Sequence, residues 1–593
     1  EHVAVGRQAL ITNTTGTGST AIGYASLYSN TTGNYNVSVG RASMYANTTG
    51  AENTAVGMGA LNANTTASNN TAMGKSALTA NTTGANNTAV GHDSMKTNVS
   101  GSYSTAFGAR TLETSTASNN SAFGWGALLK NTSGQYNTAL GRSVLVENTT
   151  GGNNNGVGHG TLYANTTASN NNAFGGSALA SNTTGANNTA VGHTALTANT
   201  TGGDNVAMGY KALTANTTGI DNVAIGSLAL QSNTTGQRNI GIGEGTLGTV
   251  VSGAYNTAVG HRALAGTTSD GNTAVGDSAL RNGDSGHSNT AVGTSALQTN
   301  TSASSNTAVG YQSLMANTTG YDQAALGYQA LRTCTTGNEN VAMGYKALRA
   351  LTTGVRNNAI GNGALMANTT GGYNNALGRG ALEGNTTGGY SEAIGYEALY
   401  TNTSGNQNQA IGYHVLRYNT TGTNNTGIGY KALYSNTTAT HNTAIGTDAL
   451  DACTTGGGNT AIGAGAFGAT TTAPSNTGVG SGAGRVNTTG TQNTYIGIAS
   501  GDRTTTGSYN TLLGHNAGFN ITTGGNNVCI GYRAGEGQIT TATRQLYIAR
   551  DQGSSSTSGV WIMGDNDGSC IQGNNSSTWT TSSDRRIKKD IVD

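Results

Sequence analysis

The sequence predicts an all-β fold, a parallel β-solenoid (β-roll) of about 32 coils with a 17-residue repeat. Two observations predict it: a glycine that recurs every 17 residues, and two apolar columns at fixed distances from that glycine. We call it the ruler glycine. The 525 residues from Gly6 to Gly531 divide into 29 steps of 17 and two of 16. The short steps, Gly108 to Gly124 and Gly260 to Gly276, each lose a residue in the polar turn segment, where a solenoid tolerates a change of length.

One coil has the form N-T-A-V-G-x-x-A-L-x-x-N-T-T-G-x-N, which residues 53–69 follow closely. The residue before each ruler glycine is apolar, from Val5 to Ile530. The second apolar column stands four residues after the glycine, from Leu10 to Phe467. Two such columns indicate two inward-facing positions in each coil. Gly and Asn-Thr clusters every few residues exclude a helix as the repeating unit.

Within a coil, short β-segments are predicted around T-A-V-G and around x-A-L, with N-T-T-G as the turn. Gly and Asn accept left-handed backbone angles there, and Thr and Asn side chains can pair turn amides. Identical residues would then stack in ladders of Val, Leu, Asn and Thr along the axis. At ~4.8 Å per coil, the array is expected to extend roughly 150 Å.

The alternation within T-A-V-G also bears on assembly, because neighbouring Ala and Val side chains point to opposite faces of a strand. We expect the large residue to fill the interior and the Ala column to form a flat outer face. A single chain with so thin a core buries little surface for its length. Three chains side by side, a homotrimeric fibre, are therefore the expected assembly. The alternative is that Ala is merely a small outward residue.

Three segments are distinguished along the chain. Residues 1–535 are the repeat shaft, and in its last four coils the second apolar column becomes Gly484, Gly501, Gly518 and Gly535, which predicts a narrowed or reshaped cross-section. Residues 536–582 are predicted to form a non-repeating β neck, with strands at 545–550 and 560–564. Residues 583–593 begin a separate C-terminal motif.

Composition excludes several classes of protein. The net charge is +1, with 9% charged residues and no basic block, so nucleic-acid binding through a phosphate-tracking patch is not expected. No apolar run approaches the ~20 residues of a membrane helix, so no membrane insertion is expected. The 93 glycines follow no Gly-X-Y period, which excludes collagen.

The four cysteines are too few and too scattered for a disulfide framework. Cys334 and Cys453 occupy the same repeat position, and at ~4.8 Å per coil they would lie roughly 34 Å apart. That separation excludes a bond between them within one chain. Both are interpreted as tolerated replacements of the usual Asn.

The chain ends in Ser583-Asp584-Arg585-Arg586-Ile587-Lys588-Lys589-Asp590-Ile591. This segment resembles the opening motif, roughly S-D-x-R-L-K-x-[DN]-I, of the intramolecular chaperone domain that follows phage tail fibres, tail spikes and endosialidases. Ile587 is the single departure at a defined position. The phrase N-T-A-[VI]-G is also similar to the head repeats of trimeric autotransporter adhesins, which have a shorter period.

In the chaperone family, the domain trimerises, helps the fibre chains wind together and releases itself by cleavage at the Ser-Asp bond. The resemblance implies cleavage between Ser583 and Asp584, with Ser583 as the nucleophile and Lys588 as its base. The rest of such a domain does not occur in these residues, and ten residues follow the expected cut. The bond is therefore uncut, or the cut lies elsewhere, or the sequence continues. No enzyme with turnover is expected in the shaft.

Two recurrent residues on the coils have both a binding and a structural interpretation. Asn-x-Thr sequons such as those at Asn30, Asn47 and Asn64 could carry glycans, but turn chemistry is the favoured interpretation. A tyrosine often follows the ruler glycine and could stack on sugars or partner proteins, although packing between coils is favoured. These tyrosines are Tyr24, Tyr210, Tyr311, Tyr328, Tyr345, Tyr396, Tyr413 and Tyr430.

No metal or other cofactor is expected. The 26 acidic residues form no column of the kind that a calcium-binding roll requires. The nine histidines follow no ligand spacing, and no carboxylate pair for glycosidase chemistry can be selected.

The function predicted from these features is structural and receptor-binding. The leading hypothesis is the shaft of a viral, phage-type tail fibre, extracellular on the virion, that attaches to a glycan or protein of the host surface. The alternative is a cell-surface or secreted adhesin or filament of β-roll repeats. A polysaccharide-degrading tail spike would need an insertion carrying acidic residues, and none interrupts the 17-residue period.

Overall fold

The fold of the 593-residue chain is taken from a computed structural model that describes residues 1–266, 268–283, 285–537, 539–549, 560–564 and 570–572. These residues form strands and turns without a helix, and they confirm the predicted parallel β-solenoid of about 32 turns with a repeat of about 17 residues. They belong to two compact units, Glu1–Ser305 and Asn306–Asp593.

In the first unit each coil contributes one three-residue strand. The strands are β1 (Val3–Val5), β2 (Thr20–Ile22), β3 (Val37–Val39), β4 (Thr54–Val56), β5 (Thr71–Met73), β6 (Thr88–Val90), β7 (Thr105–Phe107), β8 (Ser121–Phe123), β9 (Thr138–Leu140), β10 (Asn155–Val157), β11 (Asn172–Phe174), β12 (Thr189–Val191), β13 (Val206–Met208), β14 (Val223–Ile225), β15 (Ile240–Ile242), β16 (Thr257–Val259), β17 (Thr273–Val275) and β18 (Thr290–Val292).

The second unit continues the same pattern and ends in longer strands. Its strands are β19 (Thr307–Val309), β20 (Ala324–Leu326), β21 (Val341–Met343), β22 (Asn358–Ile360), β23 (Asn375–Leu377), β24 (Glu392–Ile394), β25 (Gln409–Ile411), β26 (Thr426–Ile428), β27 (Thr443–Ile445), β28 (Thr460–Ile462), β29 (Thr477–Val479), β30 (Thr494–Ile496), β31 (Thr511–Leu513), β32 (Val528–Ile530), β33 (Leu546–Ala549), β34 (Val560–Gly564) and β35 (Cys570–Gln572).

Within each unit, every coil lies in register on the next. Strand residues pair in parallel with the equivalent residues of the following coil, as Ala55 pairs with Ala72. The pairing continues across both short steps, because β7 pairs with β8 and β16 with β17. The corners are paired as well: the amide of Leu61 donates to the carbonyl of Ala77 at 2.9 Å. Coil-to-coil hydrogen bonding therefore extends well beyond the strands.

The interior is filled by the strand Ala and by the Leu four residues after the ruler glycine. Ala55 and Leu61 are fully buried, whereas the large residue before the ruler glycine points outward, with Ile22 39% and Phe107 54% exposed. The expectation that this large residue fills the coil and that Ala forms the outer face was wrong. The alternation was correct, but its two faces were exchanged.

The physical reason is the small volume inside a coil. In two coils Val replaces the Ala that precedes the buried Leu, at Val144 and Val415. In the coil that follows each valine, the strand Ala becomes Gly156 or Gly427, and a Cβ there would lie 2.5 Å from the valine. One methyl group more already exceeds the available space, so a valine or isoleucine on the strand has to face outward.

The second β-segment predicted around x-A-L is also wrong, because the chain turns a corner there. Leu61 has φ 49°, in the left-handed region, and equivalent leucines in the other coils have similar angles. Such a conformation costs about 1–3 kcal/mol for a residue other than glycine. Leucine keeps it because the conformation directs a fully buried side chain into the interior.

The ruler glycine is required by close backbone contact. Gly57 has φ 136°, and a Cβ at this position would lie 2.5 Å from the carbonyl oxygen of Gly74 in the next coil. A side chain at this position would push neighbouring coils apart, which explains why the period is marked by glycine.

A ladder of buried asparagines runs through the N-T-T-G turns. Nδ2 of Asn199 donates to Oδ1 of Asn182 at 2.8 Å and to the carbonyl of Gly202 at 2.8 Å. Its own Oδ1 accepts from Nδ2 of Asn216 at 2.9 Å. All three asparagines are fully buried. The predicted role of this Asn in turn chemistry is confirmed, and the turn side chains also join successive coils.

A second asparagine ladder precedes the strands. The backbone amide of Asn53 donates to Oδ1 of Asn36 at 3.0 Å, and its Nδ2 donates to the carbonyl of Ala67 at 2.9 Å. The Oδ1 of Asn53 in turn accepts from the backbone amide of Asn70 at 3.0 Å, so each of these side chains joins the turn of its own coil to the backbone of the next coil.

The first ladder has interruptions where another residue replaces Asn. Cys334 and Cys453 are two of these, and both are buried and free, as expected of replacements of Asn. Oδ1 of Asn436 has no hydrogen-bond partner, since Cys453 stands where the next donor would be. The same holds for Asn233 before Val250. The ladder thus loses a hydrogen bond where its repeat is broken.

In the last coils, a large strand residue fills the space that the glycines of the second apolar column leave empty. Tyr495 is fully buried, and a Cβ on Gly484 would lie 2.9 Å from its ring. Leu512 and Cys529 take the equivalent strand position in the next two coils and are buried. The space of the lost leucine is refilled by an inward-pointing strand residue.

The parallel order ends just beyond the shaft. Strand β33 pairs in parallel with β32, matching Val528 with Leu546. Strand β34 then pairs with β33 in antiparallel fashion, and β35 with β34 likewise. The chain therefore changes from coils to hairpin pairing within the segment 536–582.

We expect Asn199→Ala to loosen the coils around it. The substitution leaves Oδ1 of Asn182 buried without a partner, at a cost of about 1–3 kcal/mol, and leaves Nδ2 of Asn216 with the carbonyl of Gly219 alone. Amide hydrogen exchange in the neighbouring coils should accelerate by a hundredfold or more, whereas the exposed Thr201→Ala in the same turn should leave it unchanged. Equal exchange in the two variants would contradict the ladder's role.

We expect Gly156→Ala and Val144→Ala to compensate each other. The first substitution puts a methyl group where there is no room for it and should lower the free energy of unfolding by about 1–3 kcal/mol. The second leaves a cavity and should lower it by about 1 kcal/mol. Together they recreate the common coil, so the double variant should unfold within about 1 kcal/mol of the original chain. Thermal unfolding with hydrogen exchange of β9 to β11 measures this. Additive losses would refute the volume argument.

Candidate functional site

The first candidate surface is the outer apolar column, which we define as the residues immediately before the ruler glycines. They lie on the outward side of the strands in both units. Large members remain substantially exposed, including Leu140 at 49% and Leu377 at 48%. A contiguous apolar surface of this extent is typical of a protein–protein interface.

The sequon asparagines of the N-T-T-G turns do not offer a glycan surface. Asn30, Asn47 and Asn64 are fully buried, and Nδ2 of Asn47 donates to Oδ1 of Asn30 at 2.8 Å. A glycan attached to that nitrogen would require the turn to open and the ladder to break. The favoured interpretation as turn chemistry is the correct one.

The tyrosines that follow the ruler glycine stack on one another where they occur in successive coils. The rings of Tyr311, Tyr328 and Tyr345 are 5.5 and 5.3 Å apart, with nearly parallel planes. Tyr396, Tyr413 and Tyr430 form a second stack, at 5.2 and 5.5 Å. The ring faces are therefore used for packing between coils, as the sequence favoured, and they are largely closed to a stacked ligand.

Beside the second tyrosine stack lies a group of side chains that we call the aromatic–cation cluster. Arg417 lies between two rings, with its guanidinium carbon 5.4 Å from the ring centroid of Tyr400 and 4.9 Å from that of Tyr418. Its Nε donates to Oε2 of Glu397 at 2.8 Å, and its Nη1 donates to Oη of Tyr418 at 2.6 Å. The cluster comprises Glu397, Tyr400, His414, Arg417, Tyr418, Lys431 and Tyr434.

Neighbouring groups in this cluster set the protonation states of Glu397 and His414. Burial raises the pKa of Glu397, but hydrogen bonds from Arg417 and Tyr396 and the charge of Arg417 outweigh it and lower the pKa below its usual range. Burial, followed by the charge of Arg417, lowers the pKa of His414. At neutral pH the carboxylate is therefore ionised and the imidazole neutral. Nδ1 of His414 is buried without a hydrogen-bond partner among the described residues.

A shallow channel, the side groove, runs along the coils and ends at this cluster. It consists of two adjoining hollows of about 510 and 340 Å³ that share Met366 and Ala367. The hollow farther from the cluster is also lined by Thr333, Arg349, Ala350 and Thr352. The hollow nearer to it is also lined by Glu383, Gly384, Tyr400, Thr401 and Thr403. These volumes fall in the range of ligand sites.

The far end of the side groove carries one arginine, and a second arginine lies one coil earlier. Arg349 lines the groove, and Arg332 occupies the same repeat position one coil earlier. Neither has a carboxylate within ion-pair distance among the described residues, and Nε of Arg332 is buried without a partner. The groove thus has a cationic end and an aromatic end.

The three cysteines of the shaft carry no reactive thiol. Cys334, Cys453 and Cys529 are buried and free. Burial raises the pKa of the first two thiols to about 11 and that of Cys529 to about 12. In the described part of the chain, no three His, Cys, Asp or Glu side chains are placed to hold a metal ion.

The catalytic residues suggested for self-cleavage lie outside the described residues. This applies to Ser583, to Lys588 and to the Ser583–Asp584 bond. Their arrangement remains a prediction from the motif.

The side groove and the cluster were not identified from the sequence. The residues concerned share one variable repeat position, five residues after the ruler glycine, which carries a charged or large side chain in seven successive coils. These residues are Arg332, Arg349, Met366, Glu383, Tyr400, Arg417 and Tyr434. Other coils also carry large or charged residues at this position, so the sequence alone does not single out the groove.

No protein-family model matches the chain, and no curated protein matches it significantly. Among the described residues there is also no helix both long and apolar enough to cross a membrane. A β-solenoid shaft of this kind is compatible with a fibre-like or adhesin-like structural protein.

Proposed function

We propose that this chain is the shaft of a homotrimeric fibre, of the phage tail-fibre type, that attaches a virion to a host surface. The observation that carries the proposal is the outer apolar column. Large apolar side chains stand outside the coil in both units, where a lone chain in water would gain nothing from them.

A second copy of the chain is the partner that fits this column. The column repeats once per coil, so its period along the stack is ~4.8 Å in each unit. A partner that covers it has to present apolar groups at the same period over the same number of coils. Another copy of this chain meets both requirements.

Three copies, and attachment as the role, are supported by the C-terminal motif. Its likeness to the chaperone domain of tail fibres and tail spikes implies a trimer matured by cleavage after Ser583. A cell-surface or secreted adhesin is the alternative, supported by the likeness of N-T-A-[VI]-G to adhesin head repeats. Both roles place the chain outside the cell.

The assembly can be tested with Met208→Cys, which places a thiol in the outer apolar column. The native mass of the original chain should be three chain masses. A tris-maleimide should join three copies of the Met208→Cys variant into one covalent species, because the three thiols meet at the common axis. Thr201→Cys, exposed on the turn of the preceding coil, is the matched control and should stay single.

The buried native thiols of Cys334, Cys453 and Cys529, with their raised pKa values, should contribute little, and the unsubstituted chain measures any background. A native mass of one chain would refute the trimer. So would cross-linking that is no greater for Met208→Cys than for Thr201→Cys.

Maturation can be tested on the chain expressed with whatever follows Asp593. We expect a denatured mass that ends at Ser583. Ser583→Ala removes the nucleophile and Lys588→Ala the base, so both should remain uncut, whereas Lys589→Ala should still be processed. An uncut original chain, or cleavage of the Ser583→Ala variant, would contradict the motif's implied chemistry.

A further inference from the structure

We propose that the side groove binds an acidic oligosaccharide, with the sugar carboxylates at Arg332 and Arg349 and a sugar ring against Tyr400. The inference rests on the proposed attachment function and names the class of ligand and the place where it binds.

The cationic end of the groove favours an anionic ligand. Arg332 and Arg349 occupy the same repeat position in successive coils, and neither has a carboxylate partner among the described residues. Arg417, at the other end of the groove, is by contrast paired with Glu397. An anionic ligand would supply the missing charge, and a carboxylate matches the planar guanidinium geometrically.

The aromatic end of the groove favours a sugar ring as the bound group. Tyr400 lines the groove directly and lies outside both tyrosine stacks, so its ring is not enclosed between two other tyrosines. Arg417 packs against Tyr400 and fixes it, and Glu397 fixes Arg417. A ring held in place in this way offers a C–H-binding surface at little entropic cost.

The middle of the groove favours sugar over polypeptide. Its floor is made of Ala350, Ala367 and Gly384, which provide no deep pocket for an anchoring side chain. Backbone groups there are already paired between coils, since the amide of Ala367 donates to the carbonyl of Glu383 and that of Gly384 to Tyr400. An added β-strand would find few free partners. Threonine hydroxyls and the carboxyl of Glu383 line the groove and can form hydrogen bonds with sugar hydroxyls.

The length of the groove fits an extended chain. It follows equivalent positions in successive coils from Thr333 to Thr403, so a ligand with its own repeat can lie along the axis and contact each coil in turn. A compact ligand would occupy one hollow and leave the other empty.

Two substitutions and one matched control test the inference. Arg349→Gln removes a charge at the cationic end. Ala367→Tyr fills the boundary between the hollows, and a tyrosine is tolerated at this repeat position because Tyr418 occupies it naturally. Ala198→Tyr makes the same change at the same repeat position in the first unit, away from the groove.

The probes are immobilised polygalacturonate, hyaluronan and polysialic acid, with dextran as the neutral polymer and polyglutamate as an acidic polymer without sugar rings. We expect the original chain to be retained on at least one acidic polysaccharide and on neither dextran nor polyglutamate. Affinity should fall at least tenfold for Arg349→Gln and for Ala367→Tyr, with Ala198→Tyr unchanged.

Retention on no acidic polysaccharide would overturn the inference. Equal retention of the two tyrosine variants would overturn it too, and equal binding of polyglutamate would show that charge alone is recognised. The native mass of each sample separates this result from the proposed assembly. A single chain that binds sugar in the groove would refute the trimer alone, and a trimer without binding would refute the groove alone.

Discussion

Pairing between identical buried side chains in successive coils is the constraint on which the rest of this structure depends. Coil interiors contain asparagine, a side chain that is costly to bury unless both its amide nitrogen and its oxygen are paired. The Oδ1 of Asn199 meets this requirement because Asn216 follows it in the next coil, and its Nδ2 in turn pairs with the Oδ1 of Asn182. The requirement passes from coil to coil, so the turn sequence N-T-T-G is repeated with little change while the outward positions vary freely.

The period, the fold class and the role of the turn asparagines could be predicted because each is a property of the repeat itself. The direction of the strand residues could not. Alternation in T-A-V-G separates two faces without saying which is inside, and only the volume left beside Leu61 decides in favour of Ala. The corner at x-A-L was missed because leucine has no preference for a left-handed backbone, and burial of its side chain overrides local propensity.

The exchange of faces changes what the outside of the coil can do. An outer alanine column would have offered close approach and little else, whereas the residues from Phe107 to Leu377 present large apolar side chains. The side groove depends in turn on side chains at a variable position of the repeat. Arg349, Glu383 and Tyr400 lie far apart in sequence but at this one position within four successive coils, and a single coil read along the chain gives no indication of them. The site is recognised by comparing the same repeat position in successive coils, not by reading neighbouring residues along the chain.

The exchange of bulk in the last coils has a consequence for how the chain finds its order. Coils built on Ala and Leu are nearly interchangeable, so skipping one while folding would cost little more than a single interface. Tyr495 removes that freedom, since its ring fits beside Gly484 and Gly501 and would collide with a leucine in either place. The coils that contact Tyr495 therefore have to be those with glycine at this position. Tyr495 thereby fixes the order of the coils around it during folding, which the repeat alone does not.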